Sequence, residues 1–204
     1  MKVALFGATG GTGSQFLQQA LAAGHEVRAL ARDPEKLPGD SPALSIVAGD
    51  VREATAVAKT IAGTDAVVSA LGTRQGDDPI EAVSTRHILD AMKTHSVDRL
   101  IVVTSLGVGD SEDQVPFFFK MLMKTALRKV MAAKNEQEAM IKDSRLAWTI
   151  IRPGGLTDGE LTKAFSAGTD KSITAGQVSR ADVAYFMLHE LETGEYMHQT
   201  PAIT

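Results

Sequence analysis

Apolar residues along this chain fall into short unbroken runs, separated by stretches where they recur at helical spacing. Lys2 to Phe6 (KVALF) predicts a buried strand, Gly7 to Gly13 a turn, and Ser14 to Ala23 a helix with Phe16, Leu17, Ala20 and Leu21 on one face. Gly24 stops that helix and Glu26 to Ala31 predicts a second strand. The connection is too long for a hairpin and suits a parallel crossover. The rhythm then repeats. Strands are predicted over Leu44 to Ala48, Ala66 to Leu71, Leu100 to Val103 and Ala147 to Ile151. Helices are predicted over Glu53 to Ile61, Pro79 to His95 and most of Val115 to Asp143. After Arg152-Pro153-Gly154-Gly155 the pattern weakens to a brief strand at Ser172 to Thr174, a helix over Arg180 to Glu190 and a last strand at Glu195 to His198. Continuous apolar strands alternating with helices imply an α/β fold with a mostly parallel central sheet flanked by helices.

Composition narrows the partners. The formal net charge of -4 leaves no global basic field, so neither nucleic acid nor an anionic membrane is an expected partner. No run approaches about 18 apolar residues, and Val3 to Phe6 is too short for a signal peptide, so no membrane span is expected. Cysteine is absent, which removes disulfides and thiolate chemistry and fits a reducing, cytoplasmic setting. The histidines show no ligand spacing, and no metal site is expected.

Gly7, Gly10 and Gly13 form G-x-x-G-x-x-G between a strand and a helix. A helix N-terminus offers unpaired amides and positive dipole character to a pyrophosphate. Thr9 and Thr12 add hydroxyls, Gly11 adds a fourth glycine, and Ser14 after Gly13 excludes an ATPase-type phosphate loop. The expected fold is therefore a single Rossmann-like NAD(P)-binding domain over 1–204, with substrate-side elements at about 106–140 and 154–180. At the second strand end, Arg32 precedes Asp33. An arginine there can pair with a 2′-phosphate, favouring NADPH/NADP+ over NADH, whereas a solvated loop charge is the plain alternative.

Further strand ends supply the other candidates. Asp50 and Val51 suit the adenine edge, with Asp50 also able to cap the next helix. Leu71, Gly72, Thr73 and Arg74 suit the inner cofactor wall, with surface exposure the alternative for Arg74. Ser105 follows the fifth strand, where it can orient the nicotinamide, donate to a substrate, or bond its own backbone. Pro153 and Gly154 begin a rigid turn with exposed amides, continued by Leu156 as a substrate wall. Phe117 and Phe118 lie in the apolar segment VPFFFKMLMK, which reads either as a roof over a flat ligand or as core and subunit contact. A monomer is expected, with a dimer also compatible.

The stretches GATGGTG, GDV, KTIAGTDAVVSALGTR, MKTHSVDRLIVVTS and SRLAWTIIRPGGLTDG, in this order, resemble the single-domain atypical short-chain dehydrogenase/reductases, above all the biliverdin-IXβ reductase/flavin reductase group. The resemblance spans essentially the whole chain. It implies NADPH binding and hydride transfer to flavins or linear tetrapyrroles. By position it assigns Thr9 to Gly13 to the phosphate loop, Arg32 to the ribose phosphate, Asp50 and Val51 to adenine, Leu71 to Arg74 to the inner wall and Ser105 to the active site. Gly154 and Glu138 stand where the animal enzymes of this group carry histidines. No usable Tyr-x-x-x-Lys pair exists, since Tyr185 is followed four places later by His189 and Tyr196 by Thr200. That argues against ordinary alcohol dehydrogenation and sugar epimerisation and favours a planar conjugated acceptor, with flavin a substrate rather than a resident cofactor. The competing function is a non-catalytic NADP(H)-binding redox sensor that acts on a protein partner.

Overall fold

The computed structural model describes residues 1–39, 41–74 and 76–204. Strands β1 (Lys2–Phe6), β2 (Glu26–Ala31), β3 (Leu44–Ala48), β4 (Ala66–Ser69), β5 (Arg99–Val103) and β6 (Ala147–Pro153) are parallel neighbours in the order β3-β2-β1-β4-β5-β6. Beyond β6 the sheet continues through β10 (Ala202–Ile203), parallel to it, and then β8 (Ala167–Gly168), which runs antiparallel. A separate parallel pair joins β7 (Gly155–Thr157) to β9 (Gln177–Ser179).

Both sheet faces are covered, so alternate residues of one strand enter different cores. Val3 and Leu5 pack with Phe16, Leu17 and Ala20 of α1 (Gly11–Ala22) and with Val183, Met187 and Leu191 of α6 (Arg180–Thr193). Ala4 and Phe6 face Val57 and Ile61 of α2 (Ala54–Ile61), and Ile88 and Met92 of α3 (Glu81–His95). Each such Leu, Ile or Phe contributes roughly 1.5–3 kcal/mol by burial. A Ser179 cap sets the start of α6, its Oγ accepting from the Asp182 amide at 2.9 Å. The outcome is a single-domain Rossmann-like fold, and the strand order reverses at the β1/β4 crevice.

Several boundaries differ from expectation. The helix α1 starts at Gly11, so the glycine turn is only Gly7 to Gly10. β4 ends at Ser69, with Ala70 and Leu71 already outside it. The Val115 to Asp143 stretch divides into α4 (Phe117–Lys124) and α5 (Arg128–Asp143), because Thr125 leaves helical geometry at ψ -92°. Ser172 to Thr174 is no strand; the Ser172 amide donates to Asp170 Oδ1 at 2.8 Å and the chain turns there. Glu195 to His198 is also a turn, ending with His198 at φ 57°. The last strand lies beyond it, at β10.

Candidate functional site

The cleft at the β1/β4 crevice is built by backbone. Gly7 has φ +88°, and a Cβ there would sit 2.6 Å from the Ala70 carbonyl oxygen. A Cβ at Gly13 would sit 2.1 Å from the Gly7 carbonyl oxygen, so glycine is required for α1 to lie against the β1 end. Gly72 faces open space. The first-turn amides of Gly11, Thr12 and Gly13 lack intrahelical acceptors by the geometry of any helix, and they open this end of α1 to an anion. Thr9 and Gly10 line the cleft, whereas the Thr12 side chain is buried. These residues fit a dinucleotide: Gly7 to Gly13 would hold its pyrophosphate and the neighbouring strand ends its adenosine half.

Arg32, Asp50, Val51, Leu71, Gly72, Thr73 and Arg74 all line the same cleft, as the strand ends predicted. Arg52 joins them. Asp33 does not line it; its carboxylate takes a 2.5 Å hydrogen bond from Lys36, which holds it below the usual carboxylate range. Asp50 closes a local turn instead of capping α2, accepting from the Arg52 amide at 2.8 Å. Thr73 is fixed from below by Glu81, which is fully buried and accepts from the Thr73 hydroxyl at 2.5 Å and the Thr73 amide at 3.1 Å. Glu81 also accepts from the Ile80 amide at 3.1 Å, tying the segment before α3 to Thr73 in the cleft lining.

The β5 and β6 ends are organised by side chains. Arg152 is only 1% exposed and donates through Nε and Nη2 to Glu138 at 3.0 and 2.5 Å, and through Nη1 to Asp110 at 2.8 Å. Thr104 donates to the same Glu138 at 2.8 Å. Burial pushes the Glu138 carboxyl up, but hydrogen bonds and charge from Arg152, with Lys142, outweigh it and hold the pKa below normal. This cluster fastens α5 and the turn at Gly109–Gln114 to β6. Ser105 donates to the Leu106 carbonyl at 3.0 Å. Lys134 extends from α5 to the β5 end, with Nζ donating to the Thr104 carbonyl at 3.2 Å. Burial lowers its pKa, offset in part by the charges of Glu81 and Glu138.

A family model described as NAD(P)H-binding matches residues 7–193. The chain belongs to that family. YwnB of Bacillus subtilis is 31% identical over 98% of this chain and 96% of its own length. An uncharacterised chloroplastic protein of Arabidopsis thaliana is 32% identical, the match covering 90% of this chain and 69% of that one. Among solved structures, ChuY of Escherichia coli O157:H7, described as an anaerobilin reductase, matches with TM-score 0.85 and 28% identity over 100% of this chain and 96% of its own. The chain is thus an atypical NAD(P)H-dependent oxidoreductase, structurally related to the flavin and biliverdin reductases.

Family context sharpens the two departures. Gly154 is a packing requirement: a Cβ would sit 2.6 Å from the Gly176 carbonyl oxygen. The expected exposed amides are corrected as well. Gly154 donates to the Ile203 carbonyl at 2.9 Å and Gly155 to Gly176 at 2.8 Å, since the chain continues in strand pairing. Glu138 is the counter-ion of Arg152. Phe117 and Phe118 are 78% and 79% exposed on α4, and so belong to no core. Leu156 is exposed on β7.

Glu81, Lys134, Arg152 and Arg180 were not singled out from sequence. Lys134 lies on the long helix after Ser105, but Val130 stands four residues before it, so no Tyr-x-x-x-Lys pair marks it. Searching forward from tyrosines misses it. Arg180 had no local signal: it covers Gly11 from α6, its Cδ 2.6 Å from where a Gly11 Cβ would lie, and pairs with Asp158 at 2.6 Å.

Proposed function

We propose that the protein is an NADPH-dependent reductase of a flavin or similar planar conjugated acceptor, a linear tetrapyrrole included. One observation carries the cofactor choice: Arg32, Arg52 and Arg74 line the adenosine end of the cleft, while Asp33 is turned to Lys36. Arginine forks suit a ribose phosphate, and a carboxylate free at that place would oppose it. Bound NADPH supplies the hydride. Thr9 and Gly10 bind the pyrophosphate with the α1 amides, Asp50 and Val51 hold adenine, and Leu71 to Arg74 form the inner wall. Ser105, with Pro153 and Gly154, forms the rim at the reacting end. The segments 106–140 and 154–180, including Phe117, Phe118 and Leu156, form the acceptor side of the domain.

Reduction of a flavin adds a hydride and a proton to a conjugated ring, so positioning supplies most of what the protein must do. The two tyrosines support this reading by their place. Tyr185 packs near Phe165 and beneath Lys163, and Tyr196 packs against Phe186, and neither lines the cofactor cleft. Lys134 holds a proton beside Thr104, the residue before Ser105, and its lowered pKa favours release. NADPH chemistry of this kind suits a cytoplasmic setting. The test is an NADPH-oxidation screen with FMN, FAD, riboflavin, biliverdins and quinones. Acceleration by at least one conjugated acceptor is expected; NADPH binding without reduction of any would overturn the reductase and leave the redox-sensor reading.

A further inference from the structure

Arg180 is the first residue of α6, and its side chain lies across the first residue of α1. Its Cδ, Nε and Cζ stand 2.6, 2.9 and 3.7 Å from where a Cβ on Gly11 would lie, so glycine at position 11 is what lets the arginine rest there. The two helices pack side by side, Leu17 and Ala20 of α1 sharing a core with Val183 and Met187 of α6, and the contact brings their N-termini together. Each N-terminus carries unpaired amides and positive dipole character, so a guanidinium between them stands where a cation is least favoured. No acidic residue lies in the first turn of α1. Asp182, in the first turn of α6, is engaged elsewhere. It is buried, and it accepts from the Lys163 and Thr162 amides at 2.7 and 2.9 Å and from the Thr162 and Ser179 hydroxyls, both at 2.8 Å. Among the described residues Asp158 alone answers Arg180, its Oδ1 accepting from Nη1 at 2.6 Å. The Asp158 side chain is 87% exposed, and an ion pair in water is weakly held.

An anion held here would relieve that convergence of positive charge, and a dinucleotide brings one. The first-turn amides of α1 are the groups proposed to hold its pyrophosphate, and Arg180 overhangs the first of them. We propose that Arg180 is a further pyrophosphate-binding residue, which leaves Asp158 for the phosphates when the dinucleotide binds. Asp158 is then a competitor with the cofactor for one guanidinium. The chain after Asp158 is fastened to the start of α6 through Thr162 and Lys163 on Asp182, so the exchange needs only the arginine to turn, with neither helix moving. The role differs from that of Arg32. A ribose 2′-phosphate is carried by NADPH and not by NADH, whereas the pyrophosphate is common to both. The assignment rests on the α1 amides holding the pyrophosphate, and it is independent of the acceptor.

Titration with NADPH and with NADH, read by nucleotide fluorescence, tests the proposal in Arg180→Gln, Asp158→Asn and the double variant, each first checked for native circular dichroism. Arg180→Gln is expected to weaken both nucleotides about tenfold, the size of one charge-assisted contact. Asp158→Asn is expected to tighten both by about two- to fivefold, because it removes the competitor for the guanidinium and an exposed pair is weak. In the double variant that gain should vanish, since no arginine is left to release. Unchanged affinity in Arg180→Gln overturns the proposal. Weakening of NADPH alone also overturns it, because Arg180 would then read the ribose phosphate. So does a gain from Asp158→Asn that persists in the double variant, where Asp158 would repel the cofactor directly. No gain in Asp158→Asn overturns it as well, and this exposed variant decides alone if Arg180→Gln does not fold. A wild-type protein that binds neither nucleotide overturns the cofactor reading and this assignment together. Binding that follows the expected cycle without reduction of any acceptor upholds the assignment and overturns the reductase reading.

Discussion

The β1–β4 half and the β5–β6 half of this sheet reach their shapes by different means. Around β1 to β4 the site is backbone: Gly7 against Ala70, Gly13 against Gly7, and short strand ends that carry their chemistry in consecutive residues. Around β5 and β6 it is side chains from distant segments, with Arg152, Glu138, Asp110 and Thr104 drawn together from three parts of the chain. Backbone sites tolerate no added atom, whereas side-chain sites tolerate no unpaired charge.

The largest effect is expected on the side-chain half. Arg152→Ala leaves the buried Glu138 carboxylate with only Lys142 and Thr104 in place of its paired guanidinium, and should cost up to about 3–5 kcal/mol in denaturant unfolding. An apolar pair, Arg152→Met with Glu138→Leu, should recover most of that loss; failure to recover would show that charge pairing is not what the cluster contributes. The pair also sets an acid limb. Glu138 titrates lower when folded than when unfolded, so its stabilisation is complete above the ordinary carboxylate pKa and is lost as pH falls through the folded value. The apolar pair should flatten the fall of Tm at acid pH.

Next comes the backbone half. Gly13→Ala forces a carbon against the Gly7 carbonyl, and should cost about 1–3 kcal/mol by overpacking while abolishing NADPH binding. Wild-type affinity in that variant, measured by titration, would break the contrast between the halves.

Legibility in the sequence follows the same division. The glycine loop, Arg32, Asp50-Val51 and Leu71 to Arg74 could be read locally, because a strand end places its next residues in the crevice. Arg152 and Glu138 are 14 positions apart and meet only after α5 docks on β6, so neither announces the other. Lys134 was not legible, because Val130 stands where a tyrosine would have marked it and its reach to Thr104 appears only once α5 docks. The turn at Glu195 to His198 looked like a strand because nothing local reveals the positive φ of His198 or that sheet pairing resumes at Ala202. Ser172 to Thr174 failed for a local reason, the competing Asp170 side chain.

Smaller effects sharpen the comparison. Arg32→Ala should weaken NADPH by about ten- to a hundredfold, as loss of a charge-assisted contact to phosphate does. NADH affinity should be unchanged, and equal losses for both would remove the phosphate-reading role. With Lys134, acceptor reduction should require the protonated amine and fall as pH rises through a pKa below the ordinary lysine value. Lys134→Met should lower the rate and erase that alkaline limb; a limb that persists assigns it to another group. The smallest effect belongs to Phe117→Ser with Phe118→Ser, both exposed, where stability should change by less than about 0.5 kcal/mol. A rise in acceptor KM at constant NADPH affinity would place this face in acceptor capture.

The most direct test of the central claim is an anaerobic reaction of the purified protein with NADPH and oxidised FMN, following both chromophores together. One flavin bleached per NADPH consumed, at a rate proportional to protein, is the predicted result. NADPH that binds with no flavin bleaching above the protein-free rate would contradict it.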